Sequence, residues 1–369
     1  MGMNCGIVGL PNVGKSTIFS ALTSAPAEAA NYPFCTIEPN AGVVHVPDER
    51  LQKIAKIVGP EKVIPAITEF VDIAGLVKGA SKGEGLGNQF LGHIRQVGAI
   101  CHVVRCFEDN DIVHVAGKVD PVSDIEVINI ELALADLETV TKRISTLDKF
   151  IKSQDKKVSD KAKMTKPILE RLVKTLESGL PARSLPLDTD EIEAISDLHL
   201  ITMKKMLYVC NVDEASVATE NEHVKKVREI AAKEGSQVIT ICGKIESEIA
   251  ALESDEEKKE FLSDIGIEES GLSKMIRAGY NMLDMYTYFT AGVKEVRAWT
   301  VRAGSTAPQA AAVIHTDFEK GFIRAETIAF DDFIKYRGEA GARDAGRLRL
   351  EGKEYRVQEG DVLHFRFNV

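Results

Sequence analysis

The sequence lacks the features that would assign it to a membrane or secreted class. No apolar run approaches the roughly 18 residues that a membrane-spanning helix needs, and the first residues lack a charged segment followed by an apolar one, which a secretory signal requires. There are six cysteines but no C-x-x-C pair. Most of them lie in apolar stretches, as buried thiols do in a reducing compartment. These absences predict a cytoplasmic protein with no membrane segment.

An excess of basic charge is also missing. The chain has 46 Lys and Arg against 56 Asp and Glu, a net charge of −10. This balance argues against a protein that coats nucleic acid through nonspecific attraction, although it leaves room for a local basic surface. With 369 residues, of which 44% are hydrophobic, the chain is long enough for two or three globular domains.

The most informative feature that is present is GLPNVGKST at residues 9–17, which fits the phosphate-binding pattern G-x-x-x-x-G-K-[ST]. In such a loop, successive backbone N–H groups hold phosphates at the start of the next helix. An apolar run at 4–9 and a helical pattern at 17–22 supply the expected strand and helix. Lys15 would reach the β- and γ-phosphates and serve catalysis, and Ser16 would hold Mg²⁺. The predicted nucleotide ligands here are Asn12, Val13, Gly14, Lys15, Ser16 and Thr17.

Two further segments suit nucleotide hydrolysis. Asp72-Ile-Ala-Gly75 follows an apolar run at 67–72, and D-x-x-G at the end of a strand places its Asp near Mg²⁺ and its Gly amide near the γ-phosphate. Asp72 would act on the metal directly or through a water molecule. Thr36, in a loop bounded by prolines, is a candidate third Mg²⁺ ligand. The order of these segments is typical of the GTPase-type branch of P-loop proteins.

The segment expected to read the base departs from that branch. Its usual N-K-x-D motif pairs an Asp with two donors of guanine, but here Val212 replaces the lysine and Glu214 replaces the aspartate. Adenine lacks those donors, whereas Asn211 can pair with adenine N6 and N7. We therefore expect ATP as the ligand of Asn211, Val212 and Glu214. The alternative is that Glu214 substitutes for the aspartate and the ligand is GTP.

The residue that positions water is not where Ras-like enzymes carry it. Their glutamine directly follows D-x-x-G, and this chain has Leu76 there, which predicts slow intrinsic hydrolysis. His93, His102 and His114 are alternative candidates. His114 is favoured because it lies in a loop after a strand of the same sheet, where it would position water by hydrogen bonding; the alternative is a purely structural histidine. Asn12 is also a candidate contact for K⁺ beside the phosphates.

The chain organisation predicts three parts. Strands alternate with helices over 1–122 and again over 200–280, which indicates one doubly wound, mainly parallel α/β domain. Residues 123–199 interrupt it with an antiparallel helical hairpin, whose apolar residues follow a coiled-coil spacing on either side of a polar stretch at 153–166. Residues 281–369 read as a small α+β module. The predicted helical seam contains Ile130, Ala133, Leu137, Val140, Ile144, Leu147 and Ile151, and later Leu169, Leu172 and Leu176.

Two basic regions are open to two interpretations each. Between Lys149 and Lys166 there are seven lysines and two aspartates, so the hairpin tip is either a solvated helix end or a contact for RNA or another partner. Arg343, Arg347 and Arg349 cluster near two glycines, and they are either ordinary surface residues or a nucleic-acid contact.

With these residues assembled, the chain resembles the YchF/Obg-like ATPase family over nearly its whole length. The resemblance implies a nucleotide domain interrupted by a coiled coil, a C-terminal TGS domain of ubiquitin-like β-grasp form, and a preference for ATP. It also implies that Leu76 replaces the catalytic glutamine, that His114 is the catalytic histidine, and that the protein associates with ribosomes in translation or stress responses. The matching segments are 9–17, 30–40, 70–91, 107–121, 211–214, 288–300, 307–326 and 357–368.

Three functions therefore compete at the level of the sequence. The first is a slow ATPase that reports its nucleotide state to the ribosome through the coiled coil and the TGS domain. The second is a GTPase of the same architecture. The third is a ribosome or RNA interaction module whose nucleotide turns over rarely, which the apolar Leu76 favours.

Overall fold

The structure is a computed structural model that describes residues 4–24, 40–73, 86–109 and 118–368, with only the backbone of 86–89. Contacts divide the chain into two compact units. The first takes in the start of the chain and residues 69–279, and the second takes in 43–68 and 280–369.

The regular elements of the described residues alternate as the sequence predicts in its first part. The strands are β1 (Asn4–Val8), β2 (Ala41–His45), β3 (Lys62–Ile64), β4 (Ile67–Asp72), β5 (Ala99–Arg105), β6 (Met206–Asn211), β7 (Gln237–Ile241), β8 (Met285–Ala291), β9 (Glu295–Arg302), β10 (Phe322–Ile328), β11 (Arg349–Glu351) and β12 (Val362–Phe367). The helices are α1 (Lys15–Thr23), α2 (Glu49–Val58), α3 (Leu86–Gln96), α4 (Pro121–Ile151), α5 (Lys156–Glu177), α6 (Thr189–Ile195), α7 (Glu222–Glu234), α8 (Gly243–Ala250), α9 (Asp255–Asp264), α10 (Gly271–Met282), α11 (Ala307–Ile314), α12 (Thr316–Lys320), α13 (Phe330–Lys335) and α14 (Glu339–Asp344).

The sheet of the first unit has the strand order β2-β4-β1-β5-β6-β7. Strand β1 pairs in parallel with β4 and β5, and β5, β6 and β7 continue the parallel pairing. Every residue of β5 and β6 is buried, as expected for strands of a parallel sheet that is covered on both faces. The predicted doubly wound, mainly parallel α/β fold is confirmed.

The helical hairpin consists of α4 and α5. Helix α4 begins after Asp120, whose carboxylate accepts a hydrogen bond from the Ser123 N–H at 3.4 Å. The predicted seam is correct toward the tip of the hairpin, where Ala133, Val140 and Leu147 share a buried cluster with residues of α5.

One detail of the hairpin prediction is wrong, and the structure also defines the turn between the two helices. Ile130 is 52% exposed, whereas Ile128 and Leu132 are buried in its place. An α-helix has 3.6 residues per turn, so a stripe spaced at 3.5 drifts around a straight helix. The polar stretch at 153–166 is mostly helix: α5 begins at Lys156, after the Asp155 carboxylate that accepts a hydrogen bond from the Lys157 N–H at 2.9 Å. The turn between the helices is therefore only residues 152–155.

The sheet of the second unit is mixed, with the order β11-β10-β12-β8-β9-β3. Strands β8 and β9 are antiparallel, as are β10 and β12, while the last strand β12 pairs in parallel with β8. Tyr288, Trp299, Phe322 and Phe365 belong to its buried cluster. This is the small α+β module expected from residue 281, and it agrees with the β-grasp form that the resemblance implies.

The second unit also recruits a segment from early in the chain. Strand β3 pairs in parallel with β9, with Lys62 opposite Glu295, although the sequence places residues 43–68 in the nucleotide domain. The pairing satisfies the backbone of β9 at what would otherwise be a free edge. A break in the sequence pattern near residue 280 could not reveal this long-range pairing.

The arginine cluster of this module is electrostatically compensated. Arg343 contacts Glu339 at 2.5 Å, and Arg349 lies 3.6 Å from Asp361. Arg347 lies 4.0 Å from Asp332. Each cation therefore has a carboxylate beside it, which favours the interpretation of ordinary surface arginines.

Candidate nucleotide-binding site

The phosphate-binding pattern adopts the predicted strand–loop–helix arrangement. Strand β1 ends at Val8 and helix α1 begins at Lys15, with Gly14 as its N-cap in the left-handed region at φ 89°. No side chain caps this helix end, so the first N–H groups of α1 are available to an anion. A Cβ at Gly14 would lie 2.1 Å from the Asn211 Nδ2, so only glycine fits there.

Lys15 and Asp72 are brought together as the sequence predicts. The Lys15 ammonium donates a hydrogen bond to the Asp72 carboxylate, and the lysine side chain is only 11% exposed. The Asp72 N–H in turn donates to the Asn40 carbonyl at 2.8 Å, which fixes the end of β4. The Lys15 ammonium and the Asp72 carboxylate are therefore in contact at the carboxyl edge of the sheet.

Ser16 and Thr17 lie in the first turn of α1, and both are exposed and line a cleft of about 1050 Å³. The same cleft is lined by Asn12 and by Lys15. Val13 contributes differently: its side chain is buried, and its carbonyl accepts a hydrogen bond from the Asn211 side chain. The cleft is large enough for a nucleotide-sized ligand.

Asn211 has a different environment from the one predicted. Its side chain is only 5% exposed, its Nδ2 donates to the Val13 carbonyl at 2.9 Å, and its Oδ1 accepts from the Gly243 N–H at 3.0 Å. Asn211 thus ties the phosphate-binding loop to the start of α8. Paired readout of adenine N6 and N7 would use the same Oδ1 that accepts from Gly243, so one lone pair of that oxygen and the second Nδ2 hydrogen are left for a base.

Val212 and Glu214 lie on the cleft, as predicted, with different degrees of exposure. Val212 is 3% exposed and its N–H donates to the Ile241 carbonyl at 2.8 Å, so little of its side chain is left for stacking. The Glu214 carboxylate contacts the Lys244 ammonium at 2.5 Å, and both side chains are more than half exposed. The Glu214 carboxylate, which would accept hydrogen bonds from guanine, is therefore in an ion pair with Lys244.

Sequence reasoning missed the start of α8 as part of the cleft, and it missed Phe107 and Asp109 in the loop after β5. Cys242, Gly243 and Lys244 follow β7, and Phe107 and Asp109 follow β5. Strands of a parallel sheet end at a common edge, and ligands bind in the crevice beyond it. Because strands alternate with helices in this part of the sequence, this rule is the signal that could have found these residues.

A buried arginine shapes the loop after β5. Arg105 donates from Nε to the Phe107 carbonyl and from its terminal nitrogen to the Asp109 carbonyl, both at 3.2 Å. Its guanidinium also lies over the Phe107 ring, 4.6 Å from the ring centre. The loop after β5 is thus fastened to the sheet where it lines the cleft.

Several predicted residues lie outside the described part of the chain. These are Thr36, Gly75, Leu76 and His114. Of the other histidine candidates, His93 is exposed on α3 and does not line the cleft. The candidate role of His102 is wrong: this side chain is 1% exposed within β5, and burial lowers its pKa to about 3.

The oxygen donors at the cleft fit Mg²⁺. Mg²⁺ is usually held by one or two protein carboxylates together with substrate phosphates and water. Ser16 supplies a hydroxyl at the cleft, and Asp72 supplies a carboxylate that contacts Lys15. Within residues 4–24, 40–73, 86–109 and 118–368 there is no cluster of three His, Cys, Asp or Glu, which a metal bound by protein alone would need.

No helix among the described residues is long and apolar enough to cross a membrane.

Comparisons with known proteins agree with this geometry. A family model described as 50S ribosome-binding GTPase matches residues 4–142. A second model, for the C-terminal region of YchF GTPases and described as a protein of unknown function, matches residues 285–368.

Full-length relatives are also similar. Proteins named ribosome-binding ATPase YchF are 62% identical in Haemophilus ducreyi and 58% identical in Bacillus subtilis, with 100% of both chains covered. A solved structure described as the Schizosaccharomyces pombe YchF GTPase is 39% identical with a TM-score of 0.89, covering 99% of this chain and 97% of that one.

Proposed function

The chain belongs to the YchF family, and on that premise we propose that it is a ribosome-binding ATPase that converts ATP to ADP and phosphate slowly. The resemblance drawn from the sequence is thereby confirmed. The observation that carries the proposal is the pairing of Lys15 with Asp72 at the mouth of an uncapped helix. This arrangement places one cation, one carboxylate and free N–H groups where a triphosphate and its metal would lie.

We assign two ends to the cleft. The phosphate end consists of residues 9–17 with Asp72, and the base end consists of 211–214 with 242–244. At the phosphate end, the Lys15 ammonium would exchange its contact with Asp72 for the β- and γ-phosphates. The Asp72 carboxylate is then free to act on the metal side, beside the Ser16 hydroxyl. Mg²⁺, when bound, neutralises charge on the phosphate oxygens.

Thr36, Gly75 and His114 complete the proposed machinery. Thr36 would add a metal ligand, the Gly75 N–H would contact the γ-phosphate, and His114 would orient the attacking water. Because Leu76 carries no hydrogen-bonding group, turnover is slow when the chain is alone. A K⁺ ion beside Asn12 is a further component of the proposal, to be tested by comparing rates in K⁺ and Na⁺.

ATP is the proposed substrate because Val212 and Glu214 replace the lysine and the aspartate of the guanine-reading motif. Guanine would need a carboxylate at that position for its N1–H and N2–H₂, and the Glu214 carboxylate contacts Lys244 at 2.5 Å. The description of the S. pombe relative as a GTPase keeps GTP as the alternative. Isothermal titration with both nucleotides separates them, since GTP binding at least as tight as ATP binding would contradict the proposal.

The function is tested by co-sedimentation with ribosomes under ATP, ADP and a non-hydrolysable analogue, together with phosphate release in each condition. We expect association that depends on the nucleotide and phosphate release that ribosomes stimulate. Lys15→Ala should abolish both the dependence of association on the nucleotide and the stimulated phosphate release. Binding without stimulated release would support an interaction module with little turnover. We place the protein in the cytoplasm with the ribosomes.

A further inference from the structure

A second, smaller pocket lies near the tip of the helical hairpin, away from the cleft. Its volume is about 230 Å³, and it lies between α4, α5 and the segment after α6. Leu147, Ala162 and Leu198 form a buried apolar part of its wall, and Arg143, Thr165 and Asp197 line it as well. Phe150 and Val158 also line it, but these two side chains are 49% and 38% exposed. An exposed phenyl ring at the rim of an apolar pocket is an available stacking surface.

The tip is rigid enough to present this ring in one place. The Ser159 hydroxyl donates to the Ile151 carbonyl at 2.8 Å, across the turn between the helices. The Asp155 carboxylate caps α5 by accepting from the Lys157 N–H. These bonds fix the end of α4, where Phe150 lies, against the start of α5.

Most lysines near the pocket form no ion pair, while Asp197, which also lines it, pairs with Arg143. Of the seven lysines between 149 and 166, Lys163 and Lys166 have carboxylates within 4 Å, at 3.9 and 2.7 Å. The other five form no ion pair within the described part of the chain; they are Lys149, Lys152, Lys156, Lys157 and Lys161. Lys161 lines the pocket itself, and Lys157 lies four residues earlier on the same face of α5.

Five lysines without an ion pair at one end of a chain of net charge −10 favour binding of a polyanion at that end. The pocket is smaller than the roughly 300–1,000 Å³ of ordinary ligand sites, and it offers one exposed aromatic ring rather than a row of anchors. An amphipathic helix needs apolar contacts at several successive turns. A single planar base flanked by phosphates fits both the size and the charge better.

We propose that this pocket holds one unpaired nucleotide of RNA, with its base stacked on Phe150 and its flanking phosphates on Lys157 and Lys161. Single-stranded or looped RNA is recognised in this manner, through aromatic stacking and backbone charge. The proposal builds on the ribosome association proposed above, and it adds the surface and the chemistry of the contact.

The test is fluorescence anisotropy of a labelled oligouridine of about 12 nucleotides, titrated with the full chain. Phe150→Ala should weaken binding by about 5- to 150-fold, the range measured for loss of one stacked base. Phe150→Tyr should retain binding because it keeps the ring. Met164→Ala is the matched control, since Met164 is 73% exposed on the same hairpin and does not line the pocket.

Salt dependence provides an independent measurement. Lys161→Ala should reduce the slope of log affinity against log salt by about 0.7, the value for one contact to single-stranded nucleic acid. Lys259→Ala, at an exposed lysine of α9, should leave the slope unchanged. An RNA duplex of the same length should bind weakly, because its paired bases cannot reach Phe150.

Equal binding by Phe150→Ala and Met164→Ala would overturn the proposal, and so would equal binding of duplex and single strand. Binding of polyglutamate that depends on Phe150, without binding of oligouridine, would overturn it in favour of a protein partner. Failure of the wild-type chain to sediment with ribosomes would refute the proposed function instead, while binding of oligouridine that depends on Phe150 would still support the pocket. Binding of MgATP should be the same in all these variants.

Discussion

The two ends of the nucleotide cleft are built on different principles. The phosphate end uses backbone N–H groups and one cation, arranged by the backbone conformation of Gly14 and by the start of α1. The base end uses side chains that follow separate strands, and its ion pair joins Glu214, after β6, to Lys244, in the first turn of α8. Backbone recognition is encoded by a short contiguous motif, whereas side-chain recognition is assembled from distant segments.

The two ends are nevertheless joined by one side chain. Asn211 belongs to the base end by sequence, but its amide bonds the Val13 carbonyl of the phosphate end and the Gly243 N–H. A change at the phosphate end can therefore disturb the base end. A change at the exposed Glu214–Lys244 pair should not disturb the phosphate end, because exposed ion pairs contribute little to stability.

Gly14→Ala should have the largest effect, because it affects both ends. A left-handed conformation costs about 1–2 kcal/mol in a residue with a Cβ, and displacement of Asn211 adds about 1–3 kcal/mol for an unpaired buried group. We expect a lower melting temperature and loss of ATP binding. Gly243→Ala is the control, since its Cβ would meet neighbours at an ordinary 3.5 Å. If both variants melted together with wild type, the proposed link through Asn211 would be wrong.

Lys15→Ala should isolate the phosphate end. Charge-assisted hydrogen bonds contribute about 1.5–3 kcal/mol, so the dissociation constant for MgATP should rise by about 10- to 150-fold. Stability should change much less, because Asp72 stays 22% exposed to water when its partner is lost. Isothermal titration and thermal unfolding measure the two quantities. Unchanged affinity would remove Lys15 from the site.

Asn211→Ala should reveal how firmly the ends are coupled. It leaves the Val13 carbonyl and the Gly243 N–H without their partner, which costs about 1–3 kcal/mol in the free energy of unfolding. Asn281→Ala is the matched control, because Asn281 is an exposed residue of α10. Chemical denaturation compares them. Equal loss of unfolding free energy in the two variants would indicate that the Asn211 hydrogen bonds do not join the two ends.

The sheet beneath the phosphate end should show its own pH dependence. His102 pairs with Val8 at the end of β1, and burial lowers its pKa to about 3. The unfolded chain, with an ordinary pKa near 6.5, binds the proton first, so stability is present above pH 6.5 and is lost as pH falls. We expect a loss of about 2 kcal/mol between pH 7.5 and 5. His102→Phe should remove that loss in denaturation curves, and an unchanged pH profile would contradict the assignment.

The comparison of the two ends also explains what sequence reasoning could predict. The strand, the loop and the helix around Lys15 follow from contiguous residues, as does the hairpin seam near Val140. The environment of Asn211 does not, because it depends on Gly243, 32 residues later, approaching within hydrogen-bond distance. The pairing of β3 with β9 is missed for the same reason. Local patterns determine elements, whereas contacts between distant segments depend on packing that no motif records.

The smallest expected effect tests the base end alone. Lys244→Ala should change ATP affinity by less than about fivefold, because an exposed ion pair contributes at most about 1 kcal/mol. The same substitution frees the Glu214 carboxylate to accept from guanine, so GTP affinity should rise. Glu214→Ala leaves no carboxylate at position 214, so it should not raise GTP affinity, and the double variant should behave like Glu214→Ala. Titration of all three variants with both nucleotides decides the matter. If Lys244→Ala left the ratio of GTP to ATP affinity unchanged, the ion pair would not select the nucleotide, and the backbone around Val212 would be the remaining source of selectivity.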